Sequence, residues 1–474
     1  MGLETFFNPK SVAVIGASRE PRKFGHVIFK NFVESEFAGK TFAVNPKAEQ
    51  ILGSKVYASL SEVPGEVDLA VIAVPAPMVP AAVDECLSKN VKAAVIISGG
   101  FKEVGEKGKK LEREIRSKTE GGNLRIIGPN CLGVFDPLNH IDTLFLPKYR
   151  LRRPEPGSIA FISQSGAFGA AVLDWAAAKD IGISKFISIG NKIDVDEVDL
   201  LEYLADDPLT NCIAVYVESI DRGRDFLETA SRATEKKPLI VLKGGKTMEG
   251  ARAALSHTGS MAGSAKIYEG AFAQAGAIEA KTVDELFDYA RVLAYQPLPK
   301  DEKGLAIVTN GGGFGVIGAD EVSRLGLKLA DFSSETVKRL REKLPDYAVP
   351  NNPLDLVGDA DVERYRFALN AVFSEKNVGV VLVIVLLQPS FIESDVVDAI
   401  SESHVTYGKP TVVCSTGGDF TQILVRMLED EHIPAYATPE KAVNAINALV
   451  KYRKVLEDIE KRRNISPKET RAIV

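Results

Sequence analysis

A single histidine, His257, stands in a run of small residues that extends from Lys243 to Ser264. Its neighbours are Ser256, Thr258, Gly259 and Ser260. Histidine is the side chain whose ordinary pKa leaves a neutral, nucleophilic ring nitrogen near pH 7. Glycine and serine around it supply backbone freedom and unpaired N–H groups, which suit a loop that meets phosphate. By composition alone His257 is either such a nucleophile or an ordinary polar residue of an exposed loop. A carboxylate, Glu218, follows the apolar run Cys212–Val217, where it could orient an imidazole, fix its tautomer and support a cationic intermediate. Two further stretches suit an anion. Ser163-Gln-Ser-Gly166 leads straight into the apolar segment Ala167–Ala178, and Thr309-Asn-Gly-Gly-Gly-Phe-Gly315, with Gly311, Gly312 and Gly313, follows another apolar run. Small residues at the start of a helix point free N–H groups and the positive end of the helix dipole at a ligand. Ordinary N-capping explains Ser163, Ser165 and Gly166 equally well. The stretch Thr309–Gly315 is not a Walker A loop, because no Gly-Lys-Ser/Thr follows.

The elements that must carry these residues are legible as alternating strand and helix patterns. From Ser11 to about Ile127 continuous apolar runs alternate with helical segments, as they do again from Ser158 to about Tyr295 and from Gly304 to about Lys454. Such runs indicate parallel sheets covered on both faces, with ligands at the carboxyl ends of the strands. The expected fold is therefore α/β, with three doubly wound parallel-sheet domains, the first Rossmann-like and the other two flavodoxin-like. The expected boundaries are 1–133 for the first, 134–157 for an irregular proline-rich linker, 158–296 and 297–456 for the others, and 457–474 for a charged tail.

In the first block the strand ends carry turn chemistry: Gly16-Ala-Ser18, Asn45-Pro-Lys47, Val74-Pro-Ala-Pro77, Ser98-Gly-Gly-Phe101 and Gly128-Pro-Asn-Cys-Leu-Gly133. Each alone reads as a plain turn; five on one sheet edge favour a ligand cleft. The G-x-G-x-x-G fingerprint is absent, and Lys47 stands where an NAD enzyme wants an acid. A phosphorylated nucleotide is indicated, either NADP or coenzyme A with its 3′-phosphate.

With 45% apolar and 26% charged residues the composition is that of a globular protein. Its net charge of −6, with both signs interspersed, argues against nucleic-acid or membrane-surface binding. The four cysteines are scattered, so neither a zinc site nor a disulfide framework is expected. His26, His140, His404 and His432 lack metal-ligand spacing, and surface or capping roles are expected of them. No signal-peptide pattern opens the chain and no apolar run reaches bilayer length, so a reduced, cytoplasmic enzyme is expected. Few glutamines beside abundant Glu, Lys and Arg hint at a thermophile.

Taken together, the motifs Gly128-Pro-Asn-Cys-Leu-Gly133, Ile162-Ser-Gln-Ser-Gly-Ala-Phe-Gly169 and Leu255-Ser-His-Thr-Gly-Ser260, in this order and on three α/β blocks, resemble the α subunit of ADP-forming acetyl-CoA synthetases, acyl-CoA synthetases of the succinyl-CoA synthetase superfamily. The resemblance covers roughly residues 5–455. It implies that Gly16, Ser18 and Lys47 hold the phosphates and ribose of coenzyme A, and that Val74, Pro75, Ala76, Ser98, Gly99 and Asn130 line the pantetheine path. His257 matches the phosphorylated histidine and Glu218 the carboxylate that steadies it. Ser163, Ser165 and Gly166 match one phosphate-binding helix, while Gly311, Gly312 and Gly313 open its counterpart. No resident metal is implied.

The reaction implied is acyl-CoA + ADP + phosphate to carboxylic acid + CoA + ATP, through an acyl phosphate and a phosphohistidine. Acetate-like small acids are the default substrates, with the acyl pocket near Gln164 and Phe168. Glycines 244, 245, 250, 259 and 263 would serve as hinges for the phosphohistidine loop. ADP/ATP with Mg would sit mainly on an ATP-grasp β subunit, in an α2β2 assembly, or on the continuation of a longer fused chain. Two rival readings are a non-catalytic CoA-binding regulatory or scaffold subunit and an NADP-dependent oxidoreductase. The first leaves Glu218, His257 and two phosphate loops unexplained; the missing fingerprint weighs against the second.

Overall fold

The computed structural model describes residues 2–250, 264–300 and 303–464. His257, Gly259 and Gly263 thus lie outside the described residues. The chain divides into two compact units, Met1–Val283 and Asp284–Val474.

Unit 1 holds two sheets of seven strands each. The first comprises β1 (Ser11–Ile15), β2 (Lys40–Val44), β3 (Gln50–Ile51), β4 (Ser54–Tyr57), β5 (Leu69–Ile72), β6 (Ala93–Ile96) and β7 (Arg125–Ile127), in the order β3-β4-β2-β1-β5-β6-β7. With the antiparallel edge strand β3 set aside, the remaining order is 3-2-1-4-5-6, the Rossmann arrangement. β1 and β5 are wholly buried, as expected of β-branched runs covered on both faces.

The second sheet comprises β8 (Val134–Asp136), β9 (Ile141–Asp142), β10 (Pro156–Ser163), β11 (Ile183–Ser188), β12 (Cys212–Val217), β13 (Leu239–Lys243) and β14 (Ile278–Ala280). Its order is β14-β13-β12-β10-β11-β8-β9, whose parallel part reads 2-1-3-4-5 as in flavodoxin. The expected irregular linker 134–157 therefore contributes strands. β8 pairs antiparallel with β11 and β9 pairs with β8, and antiparallel edge pairs this short leave no periodicity for a sequence to show.

One hydrophobic core runs through both sheets of unit 1, from Phe6, Phe7 and Val14 to Ile162 and Val215. The loop after β11 stitches them together. The N–H groups of Asn191, Ile193 and Val195 donate to the carbonyls of Pro129, Gly128 and Ile126 at 2.9, 3.1 and 3.1 Å. Gly190 must be glycine there, because its φ is +58° and a Cβ would lie 2.3 Å from the Pro129 carbonyl oxygen.

Unit 2 carries a five-stranded parallel sheet of β15 (Gly304–Thr309), β16 (Leu354–Asp355), β17 (Val378–Ile384), β18 (Thr411–Cys414) and β19 (Ala435–Tyr436), in the order β16-β15-β17-β18-β19. This is again 2-1-3-4-5. The helix Val283–Tyr295, which the sequence groups with the second block, packs in unit 2. Its Arg291 pairs with Glu429 at 2.6 Å, and Tyr436 donates to the carbonyl of Asp288 at 2.7 Å. The final helix runs over Pro439–Asn464, so the start of the expected charged tail is helical. Among the described residues no helix is long and apolar enough to cross a membrane.

Candidate functional site

The carboxyl ends of the two sheets of unit 1 face a cavity of about 790 Å³. Gly99 and Asn130 line it from the first sheet, and Gln164, Ser165, Gly166 and Glu218 from the second. Six residues singled out in the sequence therefore meet in one place.

The second-sheet wall is built around the turn after β10. Ser165 caps the helix Gly166–Ala178, its hydroxyl accepting the Phe168 N–H at 3.4 Å. The remaining N–H groups of that first turn and the positive helix end are at the cavity, as an anion requires. Ser163 has another role: it is fully buried and its hydroxyl donates to the Ser165 carbonyl at 2.8 Å, which braces the turn from below. Direct phosphate contact through the Ser163 side chain is not available in this geometry.

Gln164 clamps β10 to the end of β12. Its Oε1 accepts the N–H groups of Glu218 and Ser219 at 2.7 and 3.0 Å, and its Nε2 donates to the Ser219 hydroxyl at 3.1 Å. The clamp fixes where the Glu218 side chain starts. Glu218 itself is buried, with Oε1 receiving the Tyr216 hydroxyl at 3.2 Å. Its Oε2 is buried and has no hydrogen-bond partner among the described residues. An acceptor in that state costs free energy, so its persistence on a cavity wall marks a place for a donor. Below it, the buried Lys192 ammonium holds the Ser219 carbonyl at 3.0 Å and Glu197 at 3.2 Å. Burial pushes the Glu197 carboxyl up, against the pull of Lys192.

The first-sheet wall centres on Asn130, which follows the cis Gly128–Pro129 peptide at φ +57°. Asparagine tolerates that left-handed conformation. Its N–H donates to the Ser98 carbonyl at 2.9 Å, and a Cβ on Gly99 would lie 3.1 Å from Asn130 Oδ1. The Ser98 hydroxyl is turned to the Val74 carbonyl, away from the cavity lining. Lys102, Glu103 and Asn191 also line the cavity, and none of the three is marked by its sequence context. Asn191 donates to Glu103 at 2.8 Å and to Glu112 at 2.7 Å, while Lys102 donates to the Asn191 carbonyl at 2.8 Å. Burial lowers the Lys102 ammonium below its usual range despite Glu112 and Asp221. Burial alone would raise the Glu103 carboxyl, but the hydrogen bonds from Asn191 and the Phe101 and Gly100 amides outweigh it and hold it low. No motif carries this cluster; its signal is the loop after β11 reaching across to the first sheet.

Gly16, Ser18 and Lys47 lie at the ends of β1 and β2, along the same sheet edge but outside the cavity lining. Gly16 has φ +94°, and a Cβ there would sit 2.6 Å from the Ala73 carbonyl oxygen. The following helix, Phe24–Val33, approaches so closely that a Cβ on Gly25 would meet the Gly16 carbonyl oxygen at 2.0 Å. Its His26 is buried, against the expected surface or capping role, and donates from Nδ1 to the Ser18 carbonyl at 2.8 Å. That bond orders the Gly16–Ser18 turn. Lys47 is exposed and makes no ion pair among the described residues. Val74 is half-buried, Pro75 exposed and Ala76 buried, following β5.

In unit 2, Gly311 caps the helix Gly312–Arg324, its N–H donating to the Thr309 hydroxyl at 2.9 Å. A Cβ on Gly311 would strike Leu386 at 2.4 Å and one on Gly312 would strike Asp355 at 2.5 Å, whereas Gly313 faces open space. Only Gly313 of the three is therefore free of such constraint.

Three family models match the chain: a CoA binding domain over residues 10–137, a succinyl-CoA ligase like flavodoxin domain over 156–293 and a ligase-CoA domain over 305–459. The chain is 43% identical to the acetate–CoA ligase [ADP-forming] II subunit alpha of Pyrococcus furiosus, over 95% of this chain and 98% of that one. It is 44% identical to the acetate–CoA ligase [ADP-forming] I of Archaeoglobus fulgidus, over 96% of this chain but 64% of that longer one. Its fold matches the Ca. Korarchaeum cryptofilum dinucleotide forming acetyl-coenzyme A synthetase 1, solved in complex with phosphate and ADP, with a TM-score of 0.91 and 38% identity over 98% of this chain and 99% of that one.

Proposed function

This chain belongs to the ADP-forming acetate–CoA ligase family, and on that premise we propose that it is the α half of an acyl-CoA synthetase that interconverts acyl-CoA, ADP and phosphate with a carboxylic acid, CoA and ATP. Coenzyme A lies along the carboxyl edge of the first sheet. Its phosphates and ribose meet Gly16, Ser18 and Lys47, its pantetheine passes Val74, Pro75, Ala76 and Ser98, and its thioester reaches the cavity at Gly99 and Asn130. Phosphate binds at the N-terminus of the helix Gly166–Ala178, held by Ser165 and Gly166, and Gly311, Gly312 and Gly313 open a second phosphate-binding helix in unit 2.

A phosphate oxygen attacks the thioester carbonyl, the C–S bond breaks, and CoA leaves with the electron pair and a proton. The acyl phosphate then gives its phosphoryl group to a neutral ring nitrogen of His257; the P–O bond breaks and the acid leaves as its carboxylate. The other ring N–H donates to Glu218, whose charge offsets the cation that forms. Catalysis of this kind is mostly positioning and charge neutralisation, which suits a site of glycine, serine and helix ends. The loop carrying His257 then delivers the phosphoryl group to ADP with Mg on an ATP-grasp β partner, in an α2β2 assembly in the cytoplasm. The subunit name of the P. furiosus relative and the extra length of the A. fulgidus relative both favour a separate or fused second half. Acetate-like acids are the first substrates to test.

The observation that carries this reading is Glu218, whose buried Oε2 has no hydrogen-bond partner among the described residues and which lines a cavity shared by a helix N-terminus and the Gly99–Asn130 edge. The test is to incubate the full chain with acetyl-CoA and labelled inorganic phosphate. Acid-labile label on the wild type and none on His257→Ala is expected. Label that persists in His257→Ala refutes the assignment.

A further inference from the structure

Tyr216 touches three parts of the proposed machinery at once. Its hydroxyl donates to Glu218 Oε1 at 3.2 Å. Its ring stacks on Phe168, in the first turn of the helix Gly166–Ala178, with centroids 3.9 Å apart and planes 23° from parallel. Its hydroxyl oxygen also lies only 2.6 Å from where a Cβ on Gly244 would stand, and Gly244 is the first residue after β13 on the way to His257. Burial and the adjacent Glu218 carboxylate push the phenol above its ordinary range, so it remains a donor.

We propose that Tyr216 is a positioning residue for phosphoryl transfer: by occupying Glu218 Oε1 it leaves Oε2, which has no partner among the described residues, as the acceptor for the imidazole. This rests on the reading of Glu218 given above. A carboxylate with two free oxygens can rotate about its last torsion between roughly equivalent states. One oxygen tied to a hydroxyl on a stacked ring removes that freedom. The stack on Phe168 ties the same carboxylate to the helix that presents Ser165 and Gly166, so acceptor and anion site move together. Gly244 is small because a side chain there would push the hydroxyl off Glu218; no backbone strain is involved.

The experiment measures acid-labile label formed by the full chain from acetyl-CoA and labelled inorganic phosphate, in wild type, Tyr216→Phe, Glu218→Gln and the double variant. Tyr216→Phe keeps the stacked ring and deletes only the donor. Its labelling rate at saturation is expected to fall about tenfold or more, the size of one lost hydrogen bond to a charged group. Its KM for acetyl-CoA should be unchanged, and it should add nothing in the Glu218→Gln background. Gly244→Ala should reproduce the rate loss through the 2.6 Å contact and lose most of its effect when Phe replaces Tyr216. A wild-type rate for Tyr216→Phe beside an impaired Glu218→Gln overturns this inference alone. Losses that multiply in the double variant also overturn it, since Tyr216 would then act independently of Glu218. A wild-type rate for Glu218→Gln overturns the role given to the carboxylate, and this inference with it.

Discussion

Replacing Gln164 by leucine removes the amide and keeps roughly the same volume, so the result isolates the clamp. In the native fold the Gln164 Oε1 satisfies the N–H groups of Glu218 and Ser219, and Nε2 bonds the Ser219 hydroxyl. All three residues are buried, which shields the two N–H groups from bulk water. Each stranded N–H costs about 1–3 kcal/mol, and with partial relaxation the pair costs about 2–4 kcal/mol. For a unit of this size that lowers the melting temperature by about 5–10 °C. The single tryptophan, Trp175, lies on the helix Gly166–Ala178 that follows the clamp, so its emission reports the melting of unit 1. Gln164→Glu gives the contrast. It keeps an acceptor for both N–H groups and should melt closer to wild type, yet it sets a second carboxylate beside Glu218 and should label poorly. A Gln164→Leu chain that melts within about 1 °C of wild type would refute the reasoning, because those two buried amides would then have found other partners at no cost.

Two further substitutions test other parts of the structure. Gly16→Ala forces a left-handed backbone onto a residue with a Cβ and drives that Cβ to 2.6 Å from the Ala73 carbonyl oxygen, so the KM for acetyl-CoA, measured in the acid-forming direction, should rise tenfold or more while the fold is retained. In unit 2, Glu375 is held down to about 2: burial would raise it, but the Ser333 hydroxyl and amide and further bonds prevail. Because the folded value lies below the ordinary 4.5, its contribution to stability is complete above that pH and fades as pH falls towards 2. Glu375→Gln should therefore be less stable than wild type at pH 7 and converge on it near pH 2, as followed by near-ultraviolet circular dichroism; a constant gap would contradict the assignment.

The fold was largely open to reading because buried parallel strands announce themselves as apolar runs, and β1, β5, β12 and β17 do so without ambiguity. The strands β8 and β9 were not, since two or three residues at a sheet edge carry no period. The helix Val283–Tyr295, grouped in sequence with the second block, packs in unit 2 through contacts such as that of Arg291 with Glu429, far along the chain.

At the site, residue types pointed to Glu218, Ser165 and Gly166, because charge at a strand end and small residues at a helix start have few cheap alternatives in a buried α/β sheet, whereas Gly99 and Asn130 stood only in strand-end turns and were singled out by the family resemblance. The sequence by itself determined which atoms are available for chemistry and on which edge of which sheet they stand. It did not determine which of them are already spoken for. That Ser163 turns inward, that Gln164 holds Glu218 from a neighbouring strand, that Tyr216 takes one carboxylate oxygen and leaves the other, and that the Gly190–Asn191 loop closes the far wall were decided only by tertiary structure. Hydrogen bonds between parallel strands join residues some fifty positions apart, and their partners are set by register and twist, which leave no local mark on the chain.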